Sequence, residues 1–284
     1  MTPVASQNVS AIVCTKNSIS GIEQCLRSLR QSEVGQIIVV DASSTDGTTE
    51  VAHEFADLVL SDPGTGLGSA RNIGIAHSIC EYVLNMGSDN VMPPGQLHLM
   101  IKTLTEGDYL GVSAQTFIQG SGFIANGLNA WREGRFVPGP TAVIGTPTLF
   151  QGVLIRQNPY NPEAIFSDDS ELCERWQRDF GATFAISPAH VYEIGKISWN
   201  ELKIRCRMYG ISDHEIYQRG KSNRWGVSRK LKSMLHPLRA DFLTPIRNLP
   251  TPKAISNTPF LLTFTALRYS SWLRASLAKS GDSS

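Results

Sequence analysis

From Val9 to Phe117, short apolar runs alternate with stretches whose apolar residues recur at helical spacing. That alternation leaves few folds open to the chain. Val9 to Cys14 suits a buried strand. Ile22, Cys25, Leu26 and Leu29 then recur at i, i+3, i+4 and i+7, one face of a helix. Ser20-Gly21-Ile22-Glu23 reads as a capping box in front of it. The same spacing predicts a strand over Gln36 to Val40, ending at Asp41, and a helix over Thr48 to Phe55. A strand over Leu58 to Leu60, a helix over Ser69 to Cys80 and a central strand over Tyr82 to Met86 follow. A helix over Gln96 to Leu104 and a strand over Tyr109 to Phe117 complete the series. Strands separated by helices of this length imply an α/β fold with a mostly parallel sheet and helices on both faces.

Beyond this half, 1–120, the chain changes twice. Residues 120–152 are rich in Gly, Pro, Asn and Thr and read as loops framing a pocket. A charged helix is expected over Asp168 to Arg178, short strands over Phe184 to Ile186 and His190 to Tyr192, and a helix over Trp199 to Tyr209. These make 121–218 a second half of the same domain. From 219 to 284 a basic, amphipathic extension is expected. No acidic residue falls between Ile216 and Ala240, whereas Arg219, Lys221, Arg224, Arg229, Lys230, Lys232 and Arg239 do. Pro259 to Leu273 is apolar and aromatic, too short to span a bilayer but suited to an interfacial helix. The readings are an anionic membrane surface on one side, and a solvated basic face with an ordinary docking helix on the other.

Bulk properties narrow the classes. Of 284 residues, 41% are hydrophobic and 18% charged, the mix of a globular protein, and the net charge of +1 argues against a nucleic-acid partner. Five cysteines without a CxxC pair suit reduced thiols in a cytoplasmic setting rather than a disulfide framework. The N-terminus carries no basic-then-apolar leader pattern.

Four places carry acids or cations suited to chemistry. Asp89 follows the central strand in the turn Gly87-Ser88-Asp89-Asn90. Carboxylates at the carboxyl ends of such strands lie where open α/β sheets bind ligands, and one can hold a divalent cation against a phosphate. Asp41 ends the second strand, placed for a ribose or base or for capping the next helix, while Asp46-Gly47 reads as a turn. Gly64, Gly66 and Gly68 precede Arg71, a partner for a phosphate or carbonyl. Asp168 and Asp169 start a helix, as dipole-favoured residues or with one of them a general base.

Together these segments resemble the family 2 glycosyltransferases, inverting nucleotide-sugar enzymes of the GT-A fold. Val9 to Asn17 looks like the family's opening strand, and Ile37 to Thr48 like its "IVVDxxSxDGT" segment, the most specific match. Gly68 to Gly74 resembles the "ARNxG" helix, Tyr82 to Pro94 the strand and turn of the DxD motif, and Ser167 to Cys173 the "EDxELC" helix start. The order holds from about residue 9 to about 220.

The resemblance implies that Thr15, Asp41 and Arg71 contact a nucleotide sugar, UDP-linked, with Ser88 and Asp89 at its diphosphate. It makes Asp169 the base that deprotonates the hydroxyl of a saccharide, lipid or small-molecule acceptor. Mg2+ or Mn2+ would be held by Asp89, with Glu193 or His214 in support. Two departures stand out: Gly87 replaces the first DxD aspartate, and Val191-Tyr192-Glu193 replaces a "VxH" segment, with His190 displaced. They keep open a silent relative that binds a nucleotide sugar or a partner without turnover. A dinucleotide-dependent oxidoreductase is disfavoured, because no GxGxxG follows the first strand. So is a nucleotidyltransferase, because the turn Cys14 to Ser18 has no glycine.

Overall fold

The computed structural model describes residues 6–278 apart from 166 and 196. The first five residues, and 279–284 of the expected extension, lie outside the described residues. The chain divides into two compact units, residues 1–117 with 138–194, and residues 118–137 with 195–284.

The first unit begins β1 (Val9–Thr15), α1 (Ile22–Gln31), β2 (Gln36–Asp41), α2 (Thr48–Phe55), β3 (Leu58–Ser61), α3 (Leu67–Ala76) and β4 (Tyr82–Gly87). A short β5 (Asn90–Val91), α4 (Gln96–Glu106) and β6 (Gly111–Ile118) follow. After α5 (Phe123–Arg135), which belongs to the second unit, come β7 (Gly139–Thr141), β8 (Thr148–Gln151), α6 (Gly152–Gln157), α7 (Asp168–Phe180) and β9 (Phe184–Glu193).

The strands form one sheet in the order β3-β2-β1-β4-β8-β6-β9-β5, with β7 on β9. Strands β3, β2, β1 and β4 are parallel, each reached through a helix, and the pairs involving β8, β5 and β7 are antiparallel. The expected α/β architecture is present. Strands β1, β2 and β4 are buried along nearly their whole length, which is why they read as apolar runs rather than as alternation. One face packs Val9, Ala11 and Val13 on Leu26 and Leu29 of α1; the other packs Ile12, Ile38 and Val40 with Ala70 and Ile75 of α3.

Glycine sets how closely α3 approaches. A Cβ on Gly74 would stand 2.5 Å from Ile12 Cγ2, so only glycine lets α3 lie on β1 at this distance. The helix also starts from Gly66 at φ +121°, a region L side chains avoid.

Several local expectations are corrected. The capping box before α1 does not form: Gly21 is the cap residue and no side chain caps the helix. Residues 120–152 are not loops throughout. Ile124, Leu128 and Trp131, at i, i+4 and i+7, form the buried stripe of α5, and Thr148 to Gln151 is a strand inside the sheet. The composition masked a helix whose apolar residues are spaced as a helix requires. The two short strands expected over 184–192 are one ten-residue strand, β9, with Pro188 exposed in it.

The second unit adds α8 (Trp199–Ser222), α9 (Val227–Met234), a π-helical turn (Leu238–Leu243), α10 (Thr244–Asn248) and α11 (Thr251–Ala278) to α5. Helix α8 runs past its expected end at Tyr209 because Gly210 permits close packing: a Cβ there would meet the Trp272 amide nitrogen of α11 at 2.7 Å. The stretch Pro259 to Leu273, expected at an interface, lies within α11, and its Phe260, Leu261 and Phe264 are buried in this unit's core with Trp131 and Leu202. Arg268 is also buried. It donates to both Asp213 oxygens at 2.6 and 2.7 Å and to Asp241 Oδ2 at 2.8 Å. Fully buried Asp241 also accepts from Trp131 Nε1 at 3.0 Å and pairs with Arg135. Among the described residues no helix is long and apolar enough to cross a membrane.

Replacing Gly74 with alanine forces α3 off β1. Chemical denaturation of Gly74→Ala is expected to show a loss of roughly 1–3 kcal/mol, the usual cost of overpacking a tight contact; an unchanged midpoint would mean that α3 is free to shift.

Candidate functional site

The parallel strands deliver three expected residues to one edge of the sheet. Thr15 ends β1 directly opposite Asp41, the last residue of β2, and Cys14 lies opposite Gly87, the last residue of β4. Thr15 is buried, and its hydroxyl has no hydrogen-bond partner among the described residues. An orphaned hydroxyl at a strand end is costly unless something outside the chain bonds it. Asp41 is tied into its own loop, accepting from Ser44 N at 2.9 Å and from Thr49 Oγ1 at 3.0 Å. The loops after β1 and β2 are stitched together: Asn17 N donates to Ser44 Oγ, Thr45 N to Asn17 Oδ1, and Ile19 N to Asp46 Oδ2. Asp46 also accepts from Thr48, whose hydroxyl holds its carboxyl below the usual range, and Gly47 turns into α2 at φ +92°. These bonds make a fixed rim. The Cys14 thiol beneath it is pushed up to about 12 by burial and stays protonated.

The turn after β4 is compact. Ser88 Oγ donates to Ser18 Oγ at 3.0 Å. Asp89 Oδ1 and Asn90 Oδ1 each lie 2.9 Å from the point where a Cβ on Gly87 would stand. The side-chain oxygens of this turn therefore fold over the position that lacks a carboxylate. Glu193, buried at the end of β9, pairs in register with Asn90, and the next amide, of Ile194, donates to the Asp89 carbonyl at 2.8 Å. Glu193 thus shares the turn's strand pair. His214 belongs to the second unit, where its ring nitrogens lie 3.0 Å from Ser276 Oγ and 3.4 Å from Gln218 Nε2. His190 lies inside β9, its ring edge-on to Phe117 and Tyr192. Among the described residues no group of three or more His, Cys, Asp or Glu side chains gathers at one point.

Arg71, Asp168 and Asp169 form one buried cluster. Arg71 Nη1 donates to Asp168 Oδ2 at 2.5 Å and to Asp169 Oδ1 at 3.0 Å, and Nη2 to Thr146 Oγ1 at 2.5 Å. Its guanidinium lies 5.0 Å above the Tyr160 ring. The Tyr160 hydroxyl donates to Asp169 Oδ1 at 3.3 Å and accepts from Asn85 Nδ2 at 3.1 Å. Asp169 Oδ1 thus has two donors. Oδ2 has none among the described residues; the side chain is about a quarter exposed, and Oδ2 lies 3.8 Å from the Cβ position of Gly145.

The charges are unequal. Burial disfavours the Arg71 cation, but Asp169, Tyr160 and Asp168 outweigh it, and its pKa rises further above the usual value. Asp168 is lifted to about 6 by burial first and then by repulsion from Asp169, against the pull of Arg71. One guanidinium serves two carboxylates, and the deeper one carries the strain.

Sequence reasoning missed four members of this cluster. Thr146 and Asn85 carry no distinguishing pattern. Asn72 holds Tyr160 by both ends of its amide, accepting from Tyr160 N at 2.9 Å and donating to Tyr160 O at 2.8 Å. Tyr160 itself sits in Asn158-Pro159-Tyr160-Asn161-Pro162, where two flanking prolines signal a stiff segment.

Because Asp168 titrates above a free aspartate, the folded protein binds an extra proton between about pH 4 and 6. Its stability should fall as pH rises through that window, because the unfolded chain gives up this proton earlier. Urea denaturation at several pH values is expected to show that slope in the natural protein and to show it flattened in Asp168→Asn. An identical slope in both would assign the proton elsewhere.

The fold of the sheet agrees with what comparison with known proteins shows. Residues 10–144 match the profile of glycosyl transferase family 2. A putative glycosyltransferase, EpsH of Bacillus subtilis, is 31% identical over 102 residues, 34% of this chain and 30% of that protein. AglJ of Haloferax volcanii, a glycosyltransferase, is 29% identical over 35% of this chain and 33% of its own. The matches thus cover about a third of these relatives. The crystal structure of S. aureus TarS in complex with UDP-GlcNAc superposes over 96% of this chain and 92% of that one, with TM-score 0.52 and 16% identity. Glucosyl-3-phosphoglycerate synthase from Mycobacterium tuberculosis, in complex with Mn2+, UDP and glucosyl-3-phosphoglycerate, superposes over 75% of this chain and 78% of that one, with TM-score 0.51 and 19% identity. Residues 10–144 thus carry the profile of glycosyl transferase family 2, and the chain has the fold of the GT-A glycosyltransferases.

Proposed function

We propose that this protein transfers a sugar from a UDP-linked donor to an acceptor hydroxyl with inversion, and that Asp169 is the general base. The observation that carries the reading is the asymmetry of the Asp169 carboxylate: Oδ1 is held by Arg71 and Tyr160, while Oδ2 has no donor among the described residues and lies near Gly145. A base needs one oxygen fixed and the other open to a proton. In the forward step Asp169 Oδ2 takes the proton of the acceptor hydroxyl as that oxygen bonds to the anomeric carbon. The bond from that carbon to the diphosphate breaks on the opposite side, and its electron pair leaves with the nucleoside diphosphate. Arg71 and Tyr160 act as positioning residues for the base, and Asn72 in turn fixes Tyr160.

On the donor side the unpartnered Thr15 hydroxyl and the loop-locked Asp41 support a nucleoside contact. Ser88 and Asp89 are proposed at the diphosphate. Asp89, with Glu193 in the paired strand, offers hard oxygen donors in one turn, a set that suits Mg2+ or Mn2+ when substrate phosphates supply the remaining ligands. A bound divalent cation would neutralise charge developing on the departing diphosphate. The hydrogen-bonded His214 in the second unit serves this reading less well than Glu193.

Gly87 favours a second reading, a binding protein without turnover. The two separate in an assay with a panel of UDP-sugars. Asp169→Asn is expected to lower transfer by about 10²–10⁴-fold. Tyr160→Phe should keep the fold and lose a smaller factor, with the acid limb of its pH profile moved. Absence of turnover by the natural protein, with nucleotide binding intact, would establish the silent reading. With one carboxylate missing, cation dependence should be shallow: EDTA is expected to reduce turnover without abolishing it. Complete loss in EDTA, together with tight Mn2+ binding by calorimetry, would count against that ligand set.

A further inference from the structure

Helix α9 has an amphipathic pattern whose apolar side stays exposed among the described residues. Val227, Leu231, Met234 and Leu235 recur at i, i+4, i+7 and i+8, which is one stripe of a helix. They are 84%, 54%, 41% and 45% exposed, and no residue of α9 is buried. Leu238, one turn further on, is exposed as well. At roughly 100° per residue, Lys230 falls on one side of that stripe and Lys232 on the other. Neither has an acidic partner among the described residues, and none is near in sequence, since no Asp or Glu occurs between Ile216 and Ala240. Trp225 lies just ahead, half-buried, with the Arg229 guanidinium 4.1 Å over its ring.

We propose that α9 docks this protein on an anionic lipid surface, with Val227, Leu231, Met234 and Leu235 entering the headgroup boundary and Lys230 and Lys232 reaching lipid phosphates on either side. Four neighbouring apolar side chains left in water are unfavourable, and here they are flanked by cations on both sides. A bilayer interface accepts both halves of the pattern: the apolar row is buried to the depth of one side chain, and lysines on both flanks extend their ammonium groups to headgroup level. The absence of acidic residues from 217 to 239 makes the charge complementarity one-sided and selects an anionic surface over a neutral one. The element so assigned is α9 rather than the apolar stretch of α11, whose Phe260 and Phe264 are committed to the core. The proposal stands apart from the sugar-transfer reading and does not require it.

The test is co-sedimentation of the full chain with vesicles of phosphatidylcholine alone or mixed with phosphatidylglycerol, with Trp fluorescence followed in parallel. Binding is expected to the mixed vesicles, tighter by on the order of tenfold or more than to neutral ones, and weakened by salt. Leu231→Glu combined with Met234→Glu should abolish it, while thermal unfolding stays unchanged because both side chains are exposed. Lys230→Gln combined with Lys232→Gln should weaken binding and flatten its salt dependence. Equal partitioning of the natural and Leu231→Glu/Met234→Glu proteins would overturn the assignment. So would binding that ignores lipid charge, or no vesicle binding at all. A dimer that Leu231→Glu/Met234→Glu dissociates, in a protein that ignores vesicles, would instead make the face a contact between two copies.

Discussion

The first unit depends on one guanidinium. Arg71 is buried, and a buried cation is tolerated only where counter-charge and hydrogen bonds replace water. Asp168, Asp169 and Thr146 supply them from two other segments of the chain. The arrangement is reciprocal, since neither carboxylate would sit at this depth without the cation. Removing Arg71 leaves two like charges at the start of α7 with no counter-charge, whereas removing Asp168 leaves Arg71 still paired. The cation therefore decides where α7 begins relative to α3, and with it where the open oxygen of Asp169 points.

Much of this was legible in the sequence, for a reason that also marks its limit. Strands β1, β2 and β4 are covered on both faces, so they appear as apolar runs, and α2 is marked off by the Asp46-Gly47 turn before it and the apolar run from Leu58 after it. Asp41, Asp89 and Asp169 were legible as strand ends and a helix start. What failed were relations between distant residues. Arg71 and Asp168 lie 97 positions apart, and no local pattern announces that they touch. Asp168 read equally well as a dipole-favoured first-turn acid, which it also is. Helix α5 was hidden by Gly122, Gly127 and Gly134, taken as loop residues. Two of them are there because a neighbour presses on the helix: a Cβ on Gly127 would meet the Phe260 ring at 2.1 Å, and one on Gly134 would meet Pro245 at 2.6 Å. Composition cannot separate a glycine that bends the chain from one that lets another element close.

The turn after β4 shows the same limit of local reading. Gly87 is an absence when read as a motif, but in space its place is filled, because Asp89 Oδ1 and Asn90 Oδ1 lean over it. Restoring an aspartate there would require both side chains to turn away. The β5–β9 pair brings Glu193 level with Asn90 beside this turn.

The Arg268 cluster bears on how the second unit could be divided or trimmed. Its charges come from α5, α8, the π-helical turn and α11, so four separate pieces of chain meet in one set of ion pairs. Shortening the chain before Arg268 would not peel off an appendage. It would leave Asp213 without its cation and Asp241 with Arg135 alone, both inside the unit. The C-terminal helix is an internal part of its unit that happens to come last in the sequence, so engineered boundaries belong after it rather than in front of it.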